Sequence, residues 1–364
     1  IGKDTRRSGY MLENALTAGF TSMGMNVFLL GPVPTPAVGL LTKSMRADLG
    51  VMISASHNPF IDNGIKFFGP DGYKLSDDDE GQIEKIFNSQ TPLVDSKKIG
   101  RASRINDGLG RYIEVVKSTV PQQFSLNGLK IVVDCANGSS YKVAPQVLWE
   151  LGAEVISLNV NPDGTNVNKN SGSTNPKNLI STVKKTKADL GIALDGDADR
   201  CVLVDDKGRI INGDLILAII ATKWKNKKIL KKNTVVGTKM TNSGLVRYLE
   251  KNNITFIRAD IGDRNIIKEM RENDFVLGGE PSGHIILSNK SSSGDGLLAS
   301  LEVLNILKES KKKLSSFYKI FKPIPQITKS FTINNNNTAE KILKTLKPDF
   351  LKIILLVDLG NVFN

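Results

Sequence analysis

Two short stretches of the chain combine reactive side chains with the small residues that tight loops need. In the first stretch, the apolar run 50–53 predicts the end of a buried strand, and Ser54, Ser56 and His57 follow it before Pro59. A serine hydroxyl on a loop that leaves a strand can act as a nucleophile when a base or a metal lies beside it. The same polar residues could instead satisfy the hydrogen bonds of an ordinary turn.

The second stretch, 195–200, places aspartates at positions 195, 197 and 199. In an extended segment alternate side chains point the same way, so Asp195, Asp197 and Asp199 can converge on one hard cation. Three oxygen ligands that leave room for water and a phosphate suit Mg²⁺. An EF-hand is excluded because its sixth position needs glycine and this chain has Arg200 there. A polar hairpin with solvated acids remains the alternative.

The only two histidines of the chain also lie in loops. His57 and His284 both fall among Gly, Ser and Pro residues, whereas core histidines usually lie inside periodic segments. His284 closes the run 278–284, which follows an apolar segment at 275–277. The pair therefore favours a functional site.

Alternating strand and helix patterns surround these loops and predict an α/β protein of several units. The first unit, 1–120, would contain a helix over 8–25 capped by Ser8, a strand over 27–30, and a helix opened by Ser76. The second unit, 121–217, would contain strands at 130–134, 155–158 and 190–194. The third unit, 218–328, would contain strands at 235–238, 255–257 and 275–277. Each unit would run from strand to functional loop to helix.

The end of the chain predicts the start of a fourth unit over 329–364. A low-complexity run at 334–337 precedes a helix fragment at 342–346 and a strand at 353–357. With 364 residues the chain is longer than one core usually holds, so several domains are expected.

Composition limits the other classes of function. Formal net charge is +12, but the Lys-rich runs 225–232 and 308–313 lack interleaved aromatic residues, which favours a solvated surface over nucleic-acid binding. No apolar run approaches the roughly 18 to 20 residues that span a bilayer, and no signal peptide opens the chain. Cys135 and Cys201 lie in strand-like segments and indicate reduced packing residues. We therefore expect a cytoplasmic protein.

Four motifs together resemble the α-D-phosphohexomutase superfamily in order and spacing. They are the runs 54–59, 62–66, 195–200 and 279–284. The longer runs 2–13, 164–168 and 172–174 are similar to the bacterial phosphoglucosamine mutase family, and so is Gly262-Asp263-Arg264, to which spacing assigns no role. The resemblance extends from residue 1 to about residue 330.

The resemblance implies a fold of three successive α/β mixed-sheet domains around a cleft, plus a truncated fourth α+β domain. Members of the family carry an Arg-Ser-Gly-Thr phosphate-binding loop in that fourth domain and a Thr-Asp-Gly-Ile-Arg loop in an opening segment. Neither sequence occurs in this chain, so we expect the first domain to lack its first strand and the fourth to be incomplete.

The resemblance also implies roles for individual residues. Ser56, rather than its rival Ser54, would be the phosphoserine, because the family places the phosphoserine before His-Asn-Pro. Mg²⁺ would be bound by Asp195, Asp197, Asp199 and the phosphoryl oxygen on Ser56. Lys66 would be the general acid/base, assisted by His57, with its pKa lowered by Mg²⁺ and Arg200. Arg200 would offset phosphoryl charge. The implied substrate-binding residues are Arg6, Glu280, Ser282, Gly283 and His284.

The implied activity interconverts glucosamine 6-phosphate and glucosamine 1-phosphate through a 1,6-bisphosphate, a step that feeds UDP-N-acetylglucosamine synthesis. Glucose or glucosamine 1,6-bisphosphate would be the activator, and the expected partner is a small phosphosugar, not nucleic acid or membrane. Pro281 stands where these enzymes usually have Gln, so phosphoglucomutase or phosphomannomutase activity is one alternative. The other is a truncated remnant that binds Mg²⁺ and phosphosugar without turnover. Oligomeric state is left open.

Overall fold

The computed structural model describes residues 1–87, 89 and 92–326. The predicted fourth unit, with its helix fragment and its strand at 353–357, lies outside the described residues. The described chain forms three units, called here the first (1–118), second (130–211) and third (213–326), and each is built on its own sheet.

The first unit contains a four-stranded sheet of order β3-β1-β4-β5 and a separate parallel pair, β2 with β6. Along the chain its elements are β1 (Gly2–Lys3), α1 (Ser8–Ser22), β2 (Val27–Leu29), β3 (Gly31–Pro32), α2 (Thr35–Ser44), β4 (Gly50–Ile53), β5 (Ile65–Phe68), α3 (Asp77–Phe87), β6 (Ala102–Arg104) and α4 (Gly108–Ser118). Strand β1 pairs in parallel with both β3 and β4, and β5 runs antiparallel to β4.

The two predicted helix caps of this unit have different outcomes. Ser76 is confirmed, because its Oγ accepts a hydrogen bond from the amide of Asp79 at 3.1 Å. Ser8 does not cap α1, since Arg7 holds the capping position with helical backbone angles and its side chain makes no capping bond. The Ser8 hydroxyl instead bonds to the side chain of Asn63 in the loop before β5.

The second unit has a five-stranded sheet of order β11-β10-β9-β7-β8. Its elements are β7 (Lys130–Asp134), α5 (Val143–Glu150), β8 (Glu154–Leu158), α6 (Lys177–Thr186), β9 (Leu190–Leu194), β10 (Cys201–Asp205) and β11 (Ile210–Ile211). Strand β7 is parallel to β8 and β9, whereas β10 is antiparallel to β9. The two free cysteines are buried here, which confirms them as packing residues.

The third unit has a four-stranded sheet of order β13-β12-β14-β15. Its elements are α7 (Gly213–Asn226), β12 (Thr234–Thr238), α8 (Ser243–Lys251), β13 (Thr255–Ala259), α9 (Asp263–Asn273), β14 (Leu277–Gly279), β15 (Ile285–Leu287) and α10 (Gly296–Ser310). Helix α10 is buried on all sides over its first three turns, which accounts for its continuous apolar sequence. The predicted boundary after residue 217 falls inside α7.

The three sheets share one topology, and it locates the functional loops. In each, a first strand pairs in parallel with two others, and one of these continues into an antiparallel strand. The loops 54–64, 195–200 and 280–284 all make that last connection. The expected order of strand, loop and helix was therefore wrong at the third position, where a second strand follows each loop.

The three functional loops all leave the carboxyl ends of parallel strands. Carboxyl ends of parallel strands lie on one side of a sheet, and β4, β9 and β14 each end there. None of the described helices is long and apolar enough to cross a membrane.

Candidate active site

Arg6 holds the loop that carries Ser56. Its side chain is 1 % exposed, and its Nε donates to the Asp4 carboxylate at 2.8 Å. The guanidinium also donates to four loop carbonyls, those of Ser56, Asn58, Pro59 and Asp62. This geometry differs from the predicted substrate contact, because the donors of Arg6 are already used by the protein. Arg6 instead fixes the path of the loop.

Ser54 and Ser56 have distinct places in this loop. The Ser54 hydroxyl is buried, donates to Asp4 Oδ2 at 2.7 Å and accepts from the Ser56 amide at 2.9 Å. Ser56 has a φ of 50°, in the left-handed region, and its hydroxyl points toward the second unit. Ser54 thus shapes the turn, and Ser56 presents its oxygen to the aspartates.

The three aspartates converge at the end of β9. Asp195, Asp197 and Asp199 are buried, and each contributes an oxygen that lies within 4.8 Å of the others. Ser56 Oγ donates to Asp195 Oδ2 at 2.7 Å and lies 3.4 Å from Asp199 Oδ1. The turn between the aspartates is tight enough to hold Ala198 at a φ of 61°.

These carboxylates fit a divalent cation. Within the described part of the chain, Asp197 Oδ1 is buried and accepts no hydrogen bond. Buried polar oxygens are normally satisfied, so an unpaired carboxylate oxygen beside two further carboxylates suits a hard cation. Oxygen-only donors favour Mg²⁺ over softer metals.

Lys66 supplies positive charge to the same cluster from strand β5. Its Nζ lies 2.6 Å from Asp197 Oδ2 and 3.2 Å from Asp199 Oδ2. Burial alone would lower the pKa of Lys66, but the charges of Asp197 and Asp199 outweigh it and raise that pKa. The protein groups alone therefore do not produce the predicted lowering of the Lys66 pKa, which would require a metal that offsets the charges of the carboxylates.

The carboxylates differ in their proton affinity. Burial and the charges of Asp199 and Asp197 raise the pKa of Asp195 well above its usual range. For Asp199 burial also favours the neutral acid, but Lys66 and His284 outweigh it and hold the pKa well below its usual range.

His57 stays uncharged in this environment. Burial and the charge of Arg200 lower the pKa of its imidazole. Its Nδ1 is buried and finds no hydrogen-bond partner among residues 1–87, 89 and 92–326. A neutral imidazole with a free nitrogen is able to accept a proton.

The loop 280–284 is joined to the aspartate loop through its backbone. Arg200 and His284 form an antiparallel bridge, and the Cys201 amide donates to the Gly283 carbonyl at 3.0 Å. Gly283 has a φ of 94°, and a Cβ there would lie 2.0 Å from the Cys201 carbonyl oxygen. Only glycine fits this approach.

Side chains of this loop contact one another, and His284 contacts the aspartates. Ser282 Oγ donates to Glu280 Oε2 at 3.3 Å, and Glu280 Oε1 accepts from the Gly262 amide at 3.4 Å. His284 Nδ1 lies 3.7 Å from Asp199 Oδ1; burial would lower the pKa of this imidazole, but Asp199 raises it. Arg200 Nε lies 3.9 Å from Asp199 Oδ1.

Two contributors to the site escaped sequence analysis. The Thr35 amide donates to the Asp197 carbonyl at 2.9 Å, and its hydroxyl bonds to the Asp197 carboxylate. Asn168 Nδ2 donates to the carbonyls of Ser56 at 2.8 Å and Asn58 at 3.0 Å. Asn168 lay in a run used for the resemblance, whereas Thr35 gave no signal beyond its place before a helix.

Comparison with known proteins identifies the family. Models described as phosphoglucomutase/phosphomannomutase alpha/beta/alpha domains I, II and III match residues 1–93, 110–208 and 212–324. A phosphoglucosamine mutase of Zymomonas mobilis is 56% identical over 340 residues, which is 93% of this chain and 76% of that protein. The chain belongs to the phosphoglucosamine mutase family of the α-D-phosphohexomutase superfamily.

Further members of the superfamily agree with this result. A phosphoglucosamine mutase of Brucella ovis is 55% identical over 93% of this chain and 76% of its own length. A solved phosphoglucomutase/phosphomannomutase family protein of Burkholderia thailandensis matches with a TM-score of 0.76 at 25% identity, over 88% of this chain and 70% of that one. The predicted three α/β domains with mixed sheets are confirmed, and the protein is a phosphosugar mutase by family.

Proposed function

We propose that this protein interconverts glucosamine 6-phosphate and glucosamine 1-phosphate through a phosphoserine at Ser56. The observation that carries the proposal is the position of the Ser56 hydroxyl, which bonds to one of three convergent buried aspartates beside Lys66. Phosphoryl transfer depends mainly on positioning and on neutralising charge, and this cluster supplies both. High identity to phosphoglucosamine mutases supports the amino sugar as substrate.

The metal in this proposal is Mg²⁺, held by Asp195, Asp197 and Asp199. When bound, it would neutralise charge on the phosphoryl group carried by Ser56. A solved N-acetylphosphoglucosamine mutase of Aspergillus fumigatus is in complex with GlcNAc-6P and magnesium, which supports the metal and the substrate class. The match covers 80% of this chain with a TM-score of 0.59 at 21% identity, and that likeness by itself extends only to the fold.

The bond changes in the proposed reaction balance without another reactant. The bond between phosphorus and Ser56 Oγ breaks and a bond from phosphorus to a sugar oxygen forms. Lys66, which would be neutral only where a bound cation offsets the carboxylates, takes the proton of that sugar hydroxyl, and this proton ends on Ser56 Oγ. The second half reverses these changes at the other end of the 1,6-bisphosphate, where Lys66 returns the proton. His57, neutral beside the cluster, assists proton transfer, and Arg200 balances the phosphoryl charge.

The third loop would hold the sugar. Glu280 and Ser282 present oxygens next to Arg200, and His284 lies against the aspartates, so a sugar bound there would reach Ser56. Glucose or glucosamine 1,6-bisphosphate would prime the enzyme by phosphorylating Ser56. A cytoplasmic location and the absence of nucleic-acid partners stay predictions.

The test compares glucosamine, glucose and mannose phosphates side by side with this chain, Mg²⁺ and glucose 1,6-bisphosphate. We expect the highest kcat/KM for glucosamine phosphate and no turnover by Ser56→Ala. A higher value for glucose or mannose phosphate would favour the alternative created by Pro281. Phosphosugar binding without any turnover would contradict the proposal.

A further inference from the structure

The motif Gly262-Asp263-Arg264 places a carboxylate next to the proposed sugar loop. Asp263 opens helix α9, and its side chain, 20 % exposed, lies between two basic groups. His284 Nε2 is 3.6 Å from Asp263 Oδ2, and Lys74 of the first unit bonds to the same oxygen. The family resemblance includes this residue but gives it no role, and the proposed reaction does not use it.

The His284 ring is confined on three sides. Its Nδ1 faces Asp199 at 3.7 Å, its Nε2 faces Asp263, and the side chain is 4 % exposed. On the third side a Cβ at Gly294 would lie 2.3 Å from Nε2, so the backbone at position 294 is packed directly against the ring. Within the described residues Nε2 is buried and makes no standard hydrogen bond. Asp263 is thus the only carboxylate within 4.0 Å of that nitrogen in the described chain.

We propose that Asp263 is a positioning residue, which orients the imidazole of His284 toward Asp199 and the sugar, with Lys74 of the first unit fixing the carboxylate. The claim that His284 matters for turnover rests on the proposed function. The claim that Asp263 orients the His284 ring does not. A histidine that touches a functional group needs its second nitrogen anchored, or the ring and its protons are not fixed. Because Lys74 belongs to another unit, the anchor would be complete only when the first and third units meet.

A purely structural role for Asp263 is the competing explanation. Asp263 belongs to a row of ion pairs between α9 and the first unit, in which Arg264 contacts Asp77 and Glu80. Loss of any member would loosen this contact. Arg264→Gln therefore serves as a matched control, because it removes two of these pairs next to Asp263 and leaves His284 untouched.

The deciding experiment is a long-range ¹H–¹⁵N correlation spectrum of the imidazole groups in the full chain. The sequence has only two histidines, so His57→Gln assigns both sets of signals. We expect Asp263→Asn to shift the Nε2 signal of His284 well beyond its line width. Arg264→Gln should leave the signal in place, and Asp263→Glu should restore it in part. An unchanged His284 signal in Asp263→Asn would overturn the proposal.

Kinetics with glucosamine phosphate gives the second readout. We expect Asp263→Asn to lower kcat about tenfold to 100-fold, as for other outer partners of functional histidines, with KM changed less than about threefold. Arg264→Gln should keep kcat within about threefold, since exposed ion pairs contribute little. Equal losses in the two variants would overturn positioning in favour of the structural explanation. If the unmodified chain shows no turnover, the proposed function fails, and the spectrum still decides the role of Asp263.

Discussion

The first unit meets the second and the third units through contacts of opposite character. Toward the second unit, Lys66, Thr35 and Ser56 reach buried aspartates, and Asp197 is completely shielded from solvent. Toward the third unit, the pairs made by Arg264 and Arg271 of α9 are more exposed, and in Arg271–Asp71 about half of each side chain is accessible. The Lys74–Asp263 pair is the mostly buried member of this row. Buried charges are costly to separate, whereas exposed pairs are weak and screened by salt.

This difference assigns separate tasks to the two interfaces. The contact between the first and second units holds the reacting groups in one fixed arrangement. The exposed pairs between α9 and the first unit are the weaker contact, and we expect the molecule to open and close there around a substrate, as a reorienting bisphosphate would require. The following four changes test that division, from the largest expected effect to the smallest.

Replacing Arg6, which anchors the Ser56 loop, should destabilise the contact between the first and second units most. Arg6→Met leaves the buried carboxylate of Asp4 without its partner, and breaking such a pair costs about 3 to 5 kcal/mol. We expect that loss in the free energy of unfolding from urea titration, together with loss of Ser56 phosphorylation. Arg7→Lys, at the exposed neighbouring position, is the control. A loss below about 1 kcal/mol would contradict the role given to Arg6.

Changing one metal-binding candidate should separate chemistry from folding. Asp197→Asn removes a charge from the cluster, and we expect phosphate incorporation at Ser56 to fall about 100-fold to 1,000-fold, with weaker Mg²⁺ binding in parallel. Labelling with phosphosugar measures phosphate incorporation at Ser56, and calorimetry measures Mg²⁺ binding. Asp78→Asn on exposed α3 is the control. Incorporation equal to that of the unchanged chain would refute the assignment.

One buried contact of the third unit with the first departs from the pattern and predicts a pH effect. Burial raises the pKa of Asp295 to about 6, although its carboxylate accepts a hydrogen bond from Tyr112 of α4. In the unfolded chain the pKa of this carboxyl is near its ordinary value of 3.8, so stability is highest below that pH and falls as pH rises toward 6. The fall is at most about 3 kcal/mol.

Asp295→Asn keeps a cap acceptor for α10 and removes this ionisation. We expect the variant to gain stability relative to the unchanged chain, measured as the free energy of unfolding, as the pH rises from 4 to 6. Urea titrations at several pH values measure it. A difference that does not change with pH would show that Asp295 does not titrate in this range.

The smallest effect is expected at the exposed interface. Arg264→Gln should change the unfolding free energy by less than about 1 kcal/mol, because both of its pairs are accessible to water. Limited proteolysis should show faster cleavage near α3 in the variant, and added salt should produce the same change in the unmodified chain. Cleavage that salt leaves unchanged would mean that the ion pairs do not control this opening.

Much of the site could be predicted because its loops follow obvious apolar runs. The strands before Ser56 and Asp195 are continuous apolar segments, and the alternating aspartates predict that their carboxylates converge, as they do in the structure. The strand-like segment around Cys201 was predicted and is strand β10, whereas the strands that follow the Ser56 loop and the loop 280–284 were missed. Ile65–Phe68 contains Lys66 and has an exposed first residue, so no clear alternation indicates that Lys66 projects from a strand toward the aspartates.

Contacts between distant segments account for the remaining errors. Arg6 was predicted to bind substrate, and its burial depends on carbonyls fifty or more residues away. Asp263 and His284 meet only because α9 packs beside β14, which no local pattern reveals. Strand β1 is two residues long and has no periodicity to detect, yet it lies between two neighbours in the sheet.

The left-handed backbone of Ser56 limits which amino acid could carry a phosphate at this position. Threonine has the same hydroxyl chemistry, but its branched Cβ makes a φ near the observed 50° a strained conformation. Serine avoids that branch, and aspartate, the usual mimic of a phosphorylated residue, belongs to the types that tolerate this region best. The backbone conformation at position 56 therefore favours serine over threonine even without substrate. A negatively charged mimic at position 56 should fit the loop, whereas threonine would distort it.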